Sequence, residues 1–129
     1  MPELPEVETV KKGLEEILVN KTLKNINLSG FSLRFPIPKN FVSLASGKKI
    51  LSIGRRAKYI LFSLSENISI ISHLGMSGSY RILSYDESIS YKPNKHDHII
   101  FQFEDFKVVY NDPRRFGYIF ITDKDPNDH

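Results

Sequence analysis

The chain opens Met1-Pro2-Glu3-Leu4-Pro5-Glu6-Val7-Glu8, and its second residue carries the most reactive chemistry in that stretch. A small residue after an initiator methionine favours removal of the methionine, and the chain would then begin with the secondary amine of Pro2. An unperturbed terminal amine has a pKa near ~8, so at neutral pH a usable fraction is an unprotonated nucleophile. A secondary amine condenses with an aldehyde-level carbon to give an iminium directly, and that iminium is an electron sink that acidifies the neighbouring C–H. A helix starting nearby lowers the amine pKa through its positive end, while Glu3 and Glu6 act in the opposite sense. Either carboxylate could also give or take a proton. The same residues fit a plain helix entry with two prolines and an acidic first turn.

Four further segments combine residue types that could grip a polyanion. Gly54-Arg55-Arg56-Ala57-Lys58-Tyr59 concentrates cations at the junction of two strands, where they could hold phosphates or simply protect an edge strand. His73-Leu74-Gly75-Met76-Ser77-Gly78 places a Met between glycines, either as an exposed apolar wedge or as a core residue under a hairpin turn. Asp112-Pro113-Arg114-Arg115-Phe116-Gly117 reads as a Pro-started turn with two cations and an aromatic at its tip. Cations beside an aromatic wedge are what kinking a duplex requires, although the Phe could instead tuck back inside. His96-Asp97-His98 could set both imidazoles on one face of a strand. No third ligand is nominated for a metal there, so a phosphate contact or a structural hydrogen bond is the better reading.

These segments need a frame to hold them. Val7, Val10, Leu14, Ile17 and Leu18 recur at three-to-four-residue spacing, which predicts one amphipathic helix from Pro5 to Leu18. After Asn20 the period shortens to about two, predicting strands at Thr22–Ser29, Lys49–Gly54, Tyr59–Leu64, Ile68–His73, Gly78–Leu83, His98–Phe103, Lys107–Tyr110 and Tyr118–Ile121. Ser65 to Asn67 and Glu104 to Phe106 suit tight hairpin connections. Phe35 to Asn40 reads as a loop, Phe41 to Ala45 as a short second helix, and 84–97 as a longer polar loop. The expected fold is mainly β with flanking α: a two-sheet antiparallel β-sandwich plus an N-terminal amphipathic helix. That domain occupies 1–121, and the charged tail 122–129 reads as the start of a linker.

Composition bounds the rest. With 129 residues, 40% hydrophobic and 26% charged, the chain is ordinary globular material, which excludes a disordered tail and a fibrous repeat. There is no cysteine, which removes disulfides, thiolate catalysis and Cys-ligated zinc and suits a reducing cytosol. Residues 1–60 carry eleven Lys/Arg and five Asp/Glu, whereas 61–129 carry seven and ten. A basic first half suits nucleic acid, though many basic domains bind none. Glu3, Glu6 and Glu8 stand where a secretory signal would need positive charge, and no apolar run is long enough to span a membrane.

Taken in order, PELPEVE after Met1, GRRAKY, HLGMSG, KHDH and DPRRFG resemble the formamidopyrimidine-DNA glycosylase family of bacterial base-excision repair over essentially the whole chain. The resemblance implies removal of oxidised purines, 8-oxoguanine and formamidopyrimidines, by a glycosylase and abasic-site lyase. In that scheme the Pro2 nitrogen attacks C1′ and forms a Schiff base, and β- and δ-elimination follow. Glu3 protonates the deoxyribose ring oxygen, Glu6 supports the N-terminus, and Lys58 contacts the phosphate near the lesion. Met76, Arg114 and Phe116 fill the void left by the flipped nucleotide, with Phe116 wedging the stack and Arg114 pairing with the orphan cytosine. Arg55, Arg56, His73, His96, His98 and Arg115 complete the expected DNA contacts.

The resemblance further implies a monomer acting on double-stranded DNA, without a membrane, in the bacterial cytoplasm at the nucleoid. No metal or other cofactor is expected in this chain, since the family's helix-two-turn-helix module and four-cysteine zinc finger would lie beyond residue 129. Two alternatives stay open: the endonuclease VIII type, which removes oxidised pyrimidines by the same chemistry, and a catalytically incomplete DNA-binding domain.

Overall fold

A computed structural model of the chain describes residues 4–30 and 32–124. Helix α1 (Leu4–Leu18) buries Val7, Leu14 and Leu18, three of the five apolar positions expected to face inward. Val10 packs against the core from its margin, while Ile17 stays 40% exposed at the edge of the stripe. Glu6 lies in the first turn, where the positive end of the helix favours a carboxylate.

Eight strands follow: β1 (Asn25–Leu28), β2 (Ile50–Arg56), β3 (Tyr59–Leu64), β4 (Ser69–His73), β5 (Ser79–Leu83), β6 (Asp97–Gln102), β7 (Lys107–Asn111) and β8 (Tyr118–Thr122). They form two four-stranded sheets, ordered β1-β6-β7-β5 and β2-β3-β4-β8, and every strand pairing is antiparallel. The alternation read from the sequence is the alternation of burial. Ile60, Phe62 and Leu64 of β3 point to the interior, while Tyr59, Leu61 and Ser63 stay half-buried on the outer face. The inward residues of both sheets, among them Ile70, Ile99, Val108 and Tyr110, make one core with α1 and with Phe41 of α2 (Phe41–Ala45).

Three departures have clear causes. Thr22–Ser29 is one run by pattern but two pieces in space. Thr22 bridges Lys49 beside β2, whereas Asn25–Leu28 pairs with β6, so the chain changes sheets between them. Strand β2 runs two residues further than its apolar pattern, because Arg55 and Arg56 continue the pairing opposite Ile60 and Tyr59. The polar segment 84–97 contains a helix, α3 (Tyr85–Ser90). Ser84 Oγ accepts from the Glu87 N–H and the Glu87 carboxylate accepts from the Ser84 N–H, a capping box that starts a helix without an apolar stripe.

Two of the places where the chain crosses between the sheets are neighbours. The β4–β5 connection, residues 74–78, leaves one sheet for the other, and the β7–β8 connection, residues 112–117, returns. Register puts both at one end of the sandwich. Tyr59, His73 and Tyr118 lie side by side across β3, β4 and β8, and Asp97, Asn111 and Ser79 across β6, β7 and β5. The Ala57-Lys58 turn, HLGMSG, KHDH and DPRRFG therefore share that end. Helix α1 is aimed at it too: Asn20, just past its C-terminus, bonds to Ile50 at the start of β2, and Glu8 reaches Arg55 at the far end of the same strand.

Candidate nucleic-acid interface

The floor of the site is an aromatic row. His73 and Tyr118 stack with ring centroids 4.9 Å apart and planes 4° from parallel, Tyr59 meets His73 edge-on at 5.0 Å, and the Tyr59 and Tyr118 hydroxyls share a 2.8 Å hydrogen bond. Burial, and then the hydrogen bond and charge of Tyr59, push the Tyr118 phenol up to about 12. Burial first, then the charges of Lys58 and Arg34, hold the His73 imidazole below its ordinary value. A neutral ring fits its bond: Nδ1 accepts from the Gly75 N–H at 3.0 Å, which needs a free lone pair.

Above this floor the two crossovers dock against each other. Gly75 has φ +63°, and a Cβ built on it would stand 2.5 Å from Gly117 N and 2.6 Å from Phe116 C. Only glycine lets the backbones come this close. On the facing turn a Cβ at Gly117 would strike the Tyr110 hydroxyl and approach the His73 carbonyl. The contact leaves Met76 (44% exposed) and Phe116 (45%) standing out from adjacent turns, with the Arg114 guanidinium 5.5 Å from the Phe116 ring centroid. That is a cation–π arrangement. The tucked-in alternative for either apolar side chain does not occur.

Beneath the turns lies Asp112, with no exposed surface. Its Oδ1 accepts from Ser77 Oγ at 2.6 Å and Arg115 N at 3.1 Å; its Oδ2 accepts from Gly117 N at 2.9 Å and Tyr110 OH at 3.1 Å. A carboxylate removed from water is tolerable when its lone pairs are used in this way. Ser77 Oγ also accepts from the Arg114 N–H at 3.0 Å. Arg115 has φ +57°, a left-handed conformation that costs a non-glycine residue energy and that these bonds maintain.

The remaining expected residues divide. Lys58 is half-buried in the two-residue turn between β2 and β3, behind Ala57 at φ +51°. Arg56 and Arg115 are exposed, and Glu6 is exposed on the first turn of α1. Lys95, His96, Pro113 and Arg115 surround a cleft of about 220 Å³ with His98 at its base, and its cations suit a phosphate.

Arg55 and His98, expected at the DNA, are both held by partners within the protein. Arg55 Nε holds Glu8 Oε1 at 2.7 Å and its Nη1 donates to the Ala57 carbonyl at 2.8 Å, so its head fastens α1 to the hairpin. Arg55 in turn holds the Glu8 carboxyl below the usual carboxylate range. His98 is 1% exposed, and its Nε2 lies 2.9 Å from the Asp112 carbonyl oxygen. An oxygen of that kind only accepts, so Nε2 carries the proton and the ring braces the turn from inside. The expected Pro2 and Glu3 lie outside the described residues. Among those described, no three His, Asp or Glu side chains converge as metal ligands, and no helix is long and apolar enough to cross a membrane.

Sequence reasoning treated Asp112 only as the start of a turn and passed over Ser77, Tyr110 and Glu8. An Asp directly before Pro is a recognisable signal for a side chain that closes its own turn. Nothing in the sequence says that a serine thirty-five positions earlier shares that carboxylate.

Residues 1–119 match the family model described as the formamidopyrimidine-DNA glycosylase N-terminal domain. Formamidopyrimidine-DNA glycosylase of Bartonella henselae is 48% identical over 95% of this chain and 45% of its own length, and that of Allorhizobium ampelinum 44% identical over 96% and 46%. Among solved structures, Lactococcus lactis formamidopyrimidine-DNA glycosylase bound to DNA containing an abasic site superposes with a TM-score of 0.84 at 33% identity. It covers 94% of this chain and 45% of that one. The same enzyme in complex with DNA containing a formamidopyrimidine lesion gives 0.82 at 34% identity, over 92% and 43%. The chain thus spans less than half the length of the curated relatives it matches.

Proposed function

The chain belongs to the formamidopyrimidine-DNA glycosylase family, and from that premise we propose that it carries the nucleophile and the void-filling side chains of a DNA base-excision glycosylase and abasic-site lyase. Its substrate is duplex DNA holding an oxidised purine or an abasic site. The observation that carries this reading is the exposure of Met76, Arg114 and Phe116 together, on two turns locked to each other at one end of the sandwich.

An atom inside a duplex cannot be reached by a protein nucleophile, so the target nucleotide must leave the stack at a cost of a few kcal/mol. Phe116 enters the gap between base pairs, Met76 occupies the space vacated, and Arg114 faces the unpaired cytosine. Those contacts offset the cost. Lys58 and Arg56, with Arg115 and His96 across the end, hold backbone phosphates. His73, neutral and stacked on Tyr118, braces the HLGMSG turn and shapes the surface beside Lys58.

With Met1 removed, the Pro2 nitrogen attacks C1′ of the extruded nucleotide. The C1′–base bond breaks with its electron pair going to the base, and Glu3 supplies a proton to the ring oxygen as the sugar opens. The iminium so formed acidifies the C2′ proton. β-Elimination then expels the 3′ phosphate and δ-elimination the 5′ phosphate. The electron sink is the protein's own amine, so the scheme calls for no resident metal or cofactor, and we assign the protein to the bacterial nucleoid as a monomer.

The test combines intact mass with borohydride capture. Demethionylated protein with an abasic duplex gives a stable sugar adduct, and Pro2→Gly gives less. Glu3→Gln loses base removal more than strand cleavage. Absence of any adduct from a chain shown to begin at Pro2 refutes the mechanism. Capture on an oxidised-pyrimidine duplex in preference to an 8-oxoguanine duplex would move the chain to the endonuclease VIII type.

A further inference from the structure

We propose that Asp112 is the positioning residue for the void-filling trio. Its buried carboxylate sets the spacing of Met76, Arg114 and Phe116 by holding the residue that follows each of them. Oδ1 takes the Ser77 hydroxyl, next after Met76, and the Arg115 N–H, next after Arg114. Oδ2 takes the Gly117 N–H, next after Phe116.

The rest of the residue is equally committed. The Asp112 N–H donates to the His96 carbonyl at 3.0 Å, and the Asp112 carbonyl accepts from His98 Nε2. Nothing at Asp112 faces solvent or a ligand, so it acts only through the two turns. One small, rigid acceptor thereby couples three side chains from two segments that sequence separates by more than thirty residues. Bonds of this kind, to a charged acceptor out of water, are the strong ones. The fourth donor, Tyr110 OH, reaches the carboxylate from the core without belonging to either turn, which provides an internal control.

This inference rests on the proposed function for its consequence on DNA, and it also has a readout without DNA. In the free protein the Phe116 ring should shift the NMR resonances of the Arg114 guanidinium, 5.5 Å from its centroid. Asp112→Asn replaces one acceptor oxygen by an amide that faces two donors, and Ser77→Ala removes the link between the turns. Both should abolish that ring-current shift. Each should also lower the preference for a tetrahydrofuran-containing duplex over the matching single strand about tenfold, the scale of a lost bond to a charged group. Tyr110→Phe should destabilise the fold while leaving the shift and the preference near wild type.

Ser77→Ala serves should Asp112→Asn fail to fold. Retention of the Arg114 shift and the duplex preference in Ser77→Ala or Asp112→Asn overturns the proposal. So does a loss in Tyr110→Phe that matches its loss of stability, because positioning would then be no more than general folding. A wild type that shows the shift yet has no duplex preference counts against the glycosylase reading instead.

Discussion

Replacing Gly75 by alanine puts a number on the contact between the two turns. Two costs add at this position. The first is conformational: at φ +63° an alanine pays roughly 1 kcal/mol or slightly more for a left-handed backbone. The second is steric, since the new Cβ would lie 2.5, 2.6 and 2.8 Å from Gly117 N, Phe116 C and Phe116 O. All three are backbone atoms of a turn tied to Asp112, so relief requires the turns to separate, at about 1–3 kcal/mol by analogy with overpacked sites. The expected loss is therefore about 2–4 kcal/mol, or on the order of 10 °C in Tm for a domain of this size.

Gly47→Ala isolates the first cost, because φ is +82° and no atom lies within 4 Å of the new Cβ; about 1 kcal/mol is expected there. Urea unfolding monitored by tyrosine fluorescence measures both. Equal losses at the two glycines would refute the steric argument and, with it, the close docking of HLGMSG on DPRRFG.

Other perturbations address the remaining parts of the site. Phe116→Ala should change stability by no more than about 0.5 kcal/mol, as expected for an exposed side chain, yet impair capture on abasic duplexes more than on abasic single strands; equal impairment on both counts against a wedge. Arg115→Gly should raise stability by roughly 1 kcal/mol by relieving the left-handed residue, while weakening duplex binding through the lost cation; a fall in unfolding free energy would show that φ +57° carries no strain. His73 titrates below 6.5 in the folded chain and near 6.5 when unfolded. Its contribution is therefore complete above 6.5 and is lost as pH falls through that value towards the folded one, because only the unfolded state takes up the proton. NMR titration of the His73 ring checks the direction, and a folded value above 6.5 would contradict the Gly75 N–H to Nδ1 bond.

The strands were readable because each sheet has one face in the core, so alternation in sequence became alternation in space, as in Tyr59 to Leu64. The clustering of GRRAKY, HLGMSG, KHDH and DPRRFG at one end was not readable, since it depends on the register of the two sheets. The same limit explains Arg55 and His98. Both belong to motifs rich in DNA-contacting types, but their partners, Glu8 on α1 and the Asp112 carbonyl, are set by how the sheets close. Helix α3 is a different failure. Its signal, Ser84 followed by Glu87, is local, but the segment lacks the apolar spacing by which α1 was recognised. Pro2 and Glu3 rest on sequence and family membership alone.

The polarity of the sandwich has a practical consequence. The hairpin bends at 65–67 and 103–106 lie at the end opposite the motif loops, and Glu104 and Asp105 are exposed there. With no native thiol in the chain, Glu104→Cys would create a unique attachment point for a dye or a surface tether. A molecule immobilised by that handle would present its working end outward, ready for single-particle measurements on a passing DNA strand.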